Sequence, residues 1–157
     1  MSETIDARLA ELGVTLPDAG SSPKAAGNYL PYVISGNLVF VSGQISQSED
    51  GLITGKLGAD LDIEQGAEAA KHCAIALLTQ VKIACDGDLD RLVRVVKLTG
   101  FVNSTPEFPD QPKVINGASD FLVAALGDAG RHARAAVSAG SLPLGVAVEI
   151  EGIFEIK

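Results

Sequence analysis

The sequence predicts an α+β domain: a sheet of about five or six strands with two main helices on one face. Three observations lead there. The last apolar stretch alternates with a period of two, so that Val148, Ile150 and Phe154 share one face while Glu149, Glu151 and Glu155 share the other. Two longer stretches carry their apolar residues at helical spacing instead. Two helices are too few to cover both faces of such a sheet. The apolar face takes the helices, and the glutamate face is expected to meet water or another subunit.

The elements follow in order. Ile5, Leu9 and Leu12 share one side of a short helix that stops at Gly13. Pro17 to Gly27 is rich in Pro, Gly, Ser and Ala and reads as an ordered loop. Tyr32-Val33-Ile34, the turn Ser35-Gly36-Asn37 and Leu38 to Ser42 read as a β-hairpin, with Gly43-Gln44 ending its second strand. Residues 46–62 hold scattered Gly and Asp and read as loop.

Asp62 with Gln65 three residues on is a variant of the capping box and starts a long helix. Ala67, Ala70, Ala74, Leu77, Leu78 and Val81 form its stripe to about Ala84, and the many alanines allow a close approach to a sheet. Asp86-Gly87-Asp88 breaks it. Leu92 to Val102 is β-branched and apolar and reads as a central strand. Pro106, Pro109 and Pro112 hold a loop open before a second main helix near Lys113 to Leu126, with Val114, Ala118, Phe121, Leu122 and Ala125 on one face. Ala133 to Ser138 and Val146 to Ile156 complete the strands.

At 157 residues the chain fits one domain, 1–157, with residues 1–15 as an accessory N-terminal helix. Hydrophobic residues make up 46% of it, and the mean hydropathy is +0.26, which is apolar for so small a domain and favours burial between subunits. The net charge of −8 argues against a nucleic-acid binder, which needs clustered Lys and Arg. It leaves room for a small anion in a local basic pocket. Cys73 and Cys85 match neither a disulfide framework nor a zinc site and read as buried or semi-buried helix thiols. No metal is expected. The acidic start, without an apolar core segment, does not read as a signal peptide, and no apolar run reaches the roughly 18 residues of a membrane span. A soluble cytoplasmic protein with no membrane partner is expected.

Chemistry concentrates near the end of the chain. His132-Ala133-Arg134 opens an apolar strand; Ser141-Leu142-Pro143 turns the chain; Glu149 lies on the alternating strand. An arginine beside a core needs a partner. A planar carboxylate ligand suits it, since guanidinium grips carboxylate through two parallel bonds. On spacing alone an internal Arg134–Glu149 ion pair of purely structural use is the favoured arrangement, because structural ion pairs are common.

Several separated blocks carry a resemblance: Tyr29; Gly36 through Gln44; Gly100-Phe101-Val102-Asn103; Val114-Ile115-Asn116-Gly117-Ala118; and Arg134 through Glu151. In that order, over roughly residues 20–157, they resemble the Rid family of reactive intermediate deaminases, also called YjgF proteins. The Ser-Gly-Gln block and the Arg…Leu-Pro…Glu-Ile-Glu block are together fairly specific.

The resemblance implies a chorismate-mutase-like mixed sheet, and a homotrimer whose three sheets form a central barrel with clefts between subunits. It implies an activity of the 2-iminobutanoate/2-iminopropanoate deaminase type. Enamine and imine intermediates such as 2-aminoacrylate would be hydrolysed to 2-keto acids and ammonia, with no cofactor. By matching position, Arg134 would bind the substrate carboxylate, and the attacking water would sit near Glu149. Tyr29 and Ser42 match cleft positions, Gly43 offers its backbone N–H, and Asn116 matches the asparagine of the second main helix. Ala136 stands where the family usually has Cys; that residue acts mainly through its backbone carbonyl. The chain also departs from the family in its longer Pro106–Pro112 loop, its added N-terminal helix and its Asn28-Tyr29-Leu30-Pro31 block.

Tyr32 is a rival to Tyr29 for the cleft. Ser42 has no histidine at a spacing suggestive of a triad. His132 shares the arginine's face and reads as a surface or interface residue; His72 reads as solvent-facing. Three functions compete: an imine deaminase, a non-catalytic binder or sensor of 2-keto acids and related carboxylates, and a ribonuclease or translation inhibitor. The negative charge counts against the third.

Overall fold

A computed structural model describes residues 3–18 and 24–157. The strands are β1 (Tyr32–Ser35), β2 (Leu38–Ile45), β3 (Gln47–Ser48), β4 (Gly51–Leu52), β5 (Leu92–Asn103), β6 (Ala133–Ala139) and β7 (Val148–Ile156). The helices are α1 (Ile5–Glu11), α2 (Ile63–Ala84) and α3 (Gln111–Leu126). The main sheet has the order β1-β2-β7-β5-β6. Every neighbouring pair is antiparallel except β5 and β6, which are parallel and joined through α3. The fold is therefore a mixed α+β sandwich of one sheet and one helical layer, as the sequence predicts.

Alternation decides which face is covered. Val148, Ile150 and Phe154 of β7 are buried, as are Leu98 and Val102 of β5 and Val39 and Val41 of β2. They meet Ala70, Ala74, Leu77, Leu78 and Val81 of α2 and the predicted stripe of α3. Small residues also let the helices approach each other. A Cβ on Gly117 of α3 would collide with the backbone oxygen of Ala67 in α2. The start of α2 is a full capping box: Asp62 accepts from the Gln65 N–H at 2.8 Å, and Gln65 accepts from the Asp62 N–H at 2.9 Å.

The opposite face carries none of the described helices. Phe40 and Ile153 pair across β2 and β7, Phe101 and Val137 across β5 and β6, and Glu149, Glu151 and Glu155 stand among them. Phe40, on the inner strand β2, is 42% exposed, and Val137, on the edge strand β6, is 45% exposed.

Four expectations change. Residues 46–62 include the small β3–β4 hairpin. Strand β2 continues past Gly43-Gln44 to Ile45 because a bulge carries it on. Leu12 caps α1 at its C-terminal end and is exposed, and Val14 and Leu16 turn inward after it. His72 is only half-exposed, 3.5 Å from Glu68 on the same helix. Of the expected Pro17–Gly27 loop, residues 19–23 lie outside the described residues. Cys73 and Cys85 are buried and free. Helix α1 is tied down by Lys82–Asp6 at 3.0 Å and by the Ile5 N–H, which donates to Asp90 at 2.9 Å.

Candidate active site

Arg134 lies on β6, the strand at one edge of the sheet, in register with Leu98. Leu98 is in the core beneath the helices, and paired residues point the same way, so Arg134 points to the helical face. There it meets α3. Its Nη1 donates to Ser119 Oγ at 3.0 Å, and its Nη2 donates to the Pro112 carbonyl at 3.1 Å. Positions 112, 116 and 119 fall on one side of a helix, so the exposed Asn116 belongs to the same stripe. Ala136, two residues beyond Arg134, pairs with Gly100 and packs against the edge of the core.

His132 joins this group. Its Nδ1 is 2.6 Å from the Gly130 carbonyl oxygen and its Nε2 is 2.9 Å from Ser119 Oγ. It is half-buried and bonded at both nitrogens, so of the surface or interface placement expected for it, a freely exposed surface ring does not hold. Burial pushes its pKa below the ordinary value; the bond to Gly130 pulls it back up, and the Arg134 charge lowers it further. Sequence reasoning passes over Ser119. It lies 13 residues from His132 and 15 from Arg134, and no periodic signal links them.

A second group gathers on the open face. Glu149 pairs with Phe101 on one side and Ile45 on the other, while its neighbours Val148 and Ile150 point into the core. Opposite it, β2 bulges. Val41 pairs with Gly152 and Gln44 with Ile150, so Ser42 and Gly43 share a single partner position, Glu151. The bulge brings Gly43 beneath the Glu149 side chain. A Cβ there would lie 3.0 Å from Glu149 Cδ and 3.3 Å from its Oε1. Ser42 Oγ donates to the Leu30 carbonyl at 2.7 Å and holds the segment containing Tyr29 against β2. Tyr29 is 51% exposed, and its hydroxyl accepts from the Ala26 N–H at 3.3 Å. Tyr32 instead packs against the core.

Burial holds the Glu149 carboxyl above the usual carboxylate range, and the charge of Glu151 adds to this. A carboxyl held above its ordinary range is a stronger proton acceptor than an ordinary carboxylate. Arg134 and Glu149 therefore lie on opposite faces of one sheet, and the internal ion pair that spacing allowed is not formed. Among the described residues no carboxylate pairs with Arg134. Between β6 and β7 the chain turns through Pro143–Gly145, with Leu144 in the left-handed region at φ 59°. Among the described residues no group of three or more His, Cys, Asp or Glu side chains is gathered to hold a metal ion.

The predicted site residues thus divide in two. Arg134, Ala136 and Asn116 lie at the β6–α3 edge; Tyr29, Ser42, Gly43 and Glu149 belong to β2, the segment leading to it and the open face of β7.

Relatives share this architecture. The protein TCP17 of Trypanosoma cruzi is 46% identical over 99% of this chain and 96% of its own length. The solved structure of the protein Atu1372 from Agrobacterium tumefaciens, described as of unknown function, is 48% identical. It covers 98% of this chain and 94% of that one with a TM-score of 0.89. A Shewanella oneidensis MR-1 structure described as a "putative endoribonuclease" is 33% identical, with a TM-score of 0.91 over 98% of this chain and all (100%) of that one. Residues 6–153 match the family described as "YjgF/chorismate mutase-like, putative endoribonuclease". With its mixed sheet, single helical layer and match along nearly the whole chain, the protein belongs to the YjgF/chorismate mutase-like family.

Proposed function

We propose that this protein is an enamine/imine deaminase whose active sites lie between subunits of a homotrimer. The observation that carries this reading is the division of the site residues into two halves on opposite sides of one sheet, each incomplete alone. A neighbouring copy would bring the Glu149 half of one chain to the Arg134 half of another. The apolar residues on the open sheet face supply the surface for such packing.

The chemistry follows from the two halves. The guanidinium of Arg134 has five N–H donors, of which α3 engages two. The others remain for a substrate carboxylate. The C=N carbon is then attacked by a water that passes a proton to Glu149. Glu149 returns that proton to nitrogen, and the carbinolamine hydroxyl gives its own proton to the same nitrogen, by way of the carboxylate, as the C–N bond breaks, so that ammonia and a 2-keto acid leave. Water supplies the oxygen of the product, and no redox partner is needed. The Gly43 N–H and the Ala136 carbonyl would help orient water and substrate.

The test is a coupled assay in a buffer that does not quench imines. An amino-acid oxidase or dehydratase generates the imine, and keto-acid release is followed with and without the protein. Acceleration supports the deaminase. Saturable binding of 2-keto acids without acceleration would make the cleft a carboxylate sensor. Cleavage of RNA would support the activity in the family description, which the net charge of −8 disfavours.

A further inference from the structure

We propose that Ser119 and His132 are positioning residues. They form a one-way hydrogen-bond relay that aims the Arg134 guanidinium at the substrate carboxylate, and protonation of His132 loosens that grip. The inference rests on the reading of Arg134 as the carboxylate-binding group.

The direction of the relay follows from which atoms can donate. A carbonyl oxygen only accepts, so the His132 nitrogen 2.6 Å from the Gly130 carbonyl, Nδ1, carries the proton. In the neutral ring Nε2 then has a lone pair and no proton. The only proton available in the 2.9 Å contact to Ser119 is the hydroxyl's, so Ser119 donates to His132. With its proton so directed, Ser119 Oγ turns lone pairs to Arg134 and accepts from Nη1 at 3.0 Å. Together with the Pro112 carbonyl on Nη2 at 3.1 Å, this fixes two corners of a planar group. A guanidinium held at two points loses less rotamer freedom when a carboxylate binds than a free one does.

Protonation reverses the middle link. The imidazolium would donate from Nε2 to Ser119 Oγ, which would then accept from two cations at once while its own proton turned away. The surroundings add to this conflict. Arg134 approaches from β6, two residues on. Arg94 of β5, Arg131 and Glu155 of β7 line the surface groove that His132 also borders, and Arg131 is partly occupied by Asp128 at 3.4 Å. Helix α3 offers only the neutral Ser119 in contact with the ring. The charge that acts on the ring is that of Arg134, and together with burial it favours the neutral ring. The lowered His132 pKa agrees.

The experiment is calorimetric titration of 2-oxobutanoate into the full-length protein at about pH 7.5 and about pH 5, where the ligand carboxylate stays ionised. Arg134→Ala tests the underlying reading and should abolish binding. Ser119→Ala and His132→Phe should each weaken binding by about fivefold or more at the higher pH, the scale of a hydrogen bond to a charged group. His132→Gln places an amide oxygen near the Nε2 position, where it can still accept from Ser119. It should stay within about twofold of wild type at the higher pH and lose less affinity on acidification, whereas wild type should lose about threefold more. Glu149 titrates in both proteins, so the difference belongs to His132. Circular dichroism identifies any variant that fails to fold, and Ser119→Ala removes only one oxygen from a half-buried position. If Ser119→Ala and His132→Phe bind like wild type while Arg134→Ala does not bind, the relay is overturned and the reading of Arg134 stands. If His132→Gln is as acid-sensitive as wild type, the relay is overturned as well. If Arg134→Ala binds like wild type, or wild type does not bind, the reading falls and the relay with it.

Discussion

Gly43 lies directly beneath the Glu149 carboxylate: a Cβ at that position would be 3.0 Å from Glu149 Cδ. The contact exists because β2 bulges at Ser42–Gly43, so a side chain at position 43 must push the glutamate aside. Gly43→Ala is therefore expected to displace the carboxylate by a few tenths of an ångström or more while leaving the exposed backbone folded. Imine turnover should fall by about tenfold, since small misplacements of a catalytic group are costly. Thermal unfolding should change little, and a kinetic assay beside a melting curve checks both.

Glu149→Gln separates proton transfer from binding. Turnover should fall by about 10²-fold, a usual size for general-base catalysis, while 2-keto-acid affinity changes far less because Arg134 remains. The same variant has a stability signature. The folded state raises the Glu149 pKa, so it holds the proton more tightly than the unfolded chain does. That contribution to stability is present below the unfolded value and is lost as pH rises through the folded one. At neutral pH the charge disfavours folding, so Glu149→Gln should melt at the same or a higher temperature than wild type. The gap should close near pH 4, about where the unfolded carboxyl takes up its proton.

Arg134→Lys keeps the charge and loses the planar fork. Ammonium cannot satisfy Ser119, Pro112 and a bidentate carboxylate together. Keto-acid binding should weaken by about 2–4 kcal/mol, as when a partner of a buried charged contact is changed. An unchanged calorimetric affinity would make Arg134 a structural residue.

Phe40→Glu addresses the open sheet face. Phe40 pairs with Ile153 and is 42% exposed in the single chain. A charge there should split the assembly, lowering the light-scattering mass from about three chains to one of 16.2 kDa, with the circular dichroism of the folded chain retained.

Much of the fold is legible in the sequence because alternation and helical spacing are strong local signals. The period of two in Val148–Ile156 locates the covered and open faces, and the stripe Val114, Ala118, Phe121, Leu122, Ala125 is the buried face of α3. The β3–β4 hairpin escapes because two-residue strands have no period. The bulge at Ser42–Gly43 escapes because it is a property of the pairing with β7, not of β2 itself. For the site, Arg134 and Glu149 stand out as residues, but their relation does not. Spacing allows them to pair, whereas the register Arg134–Leu98 and Phe101–Glu149 sends them to opposite faces. Ser119 has no signal at all until α3 docks on β6.

The placement of Arg134 and Glu149 on opposite faces leads to the most direct test of the account, complementation between two inactive variants. Arg134→Ala and Glu149→Gln are co-expressed in equal amounts and purified together, homotrimers included. If each site takes its arginine from one chain and its glutamate from the next, every mixed trimer contains an interface with both native residues. Random assembly into closed rings should then restore about a quarter of wild-type turnover. Turnover no greater than the sum of the two variants alone would mean that each site draws both residues from one chain, and it would contradict the shared-site account.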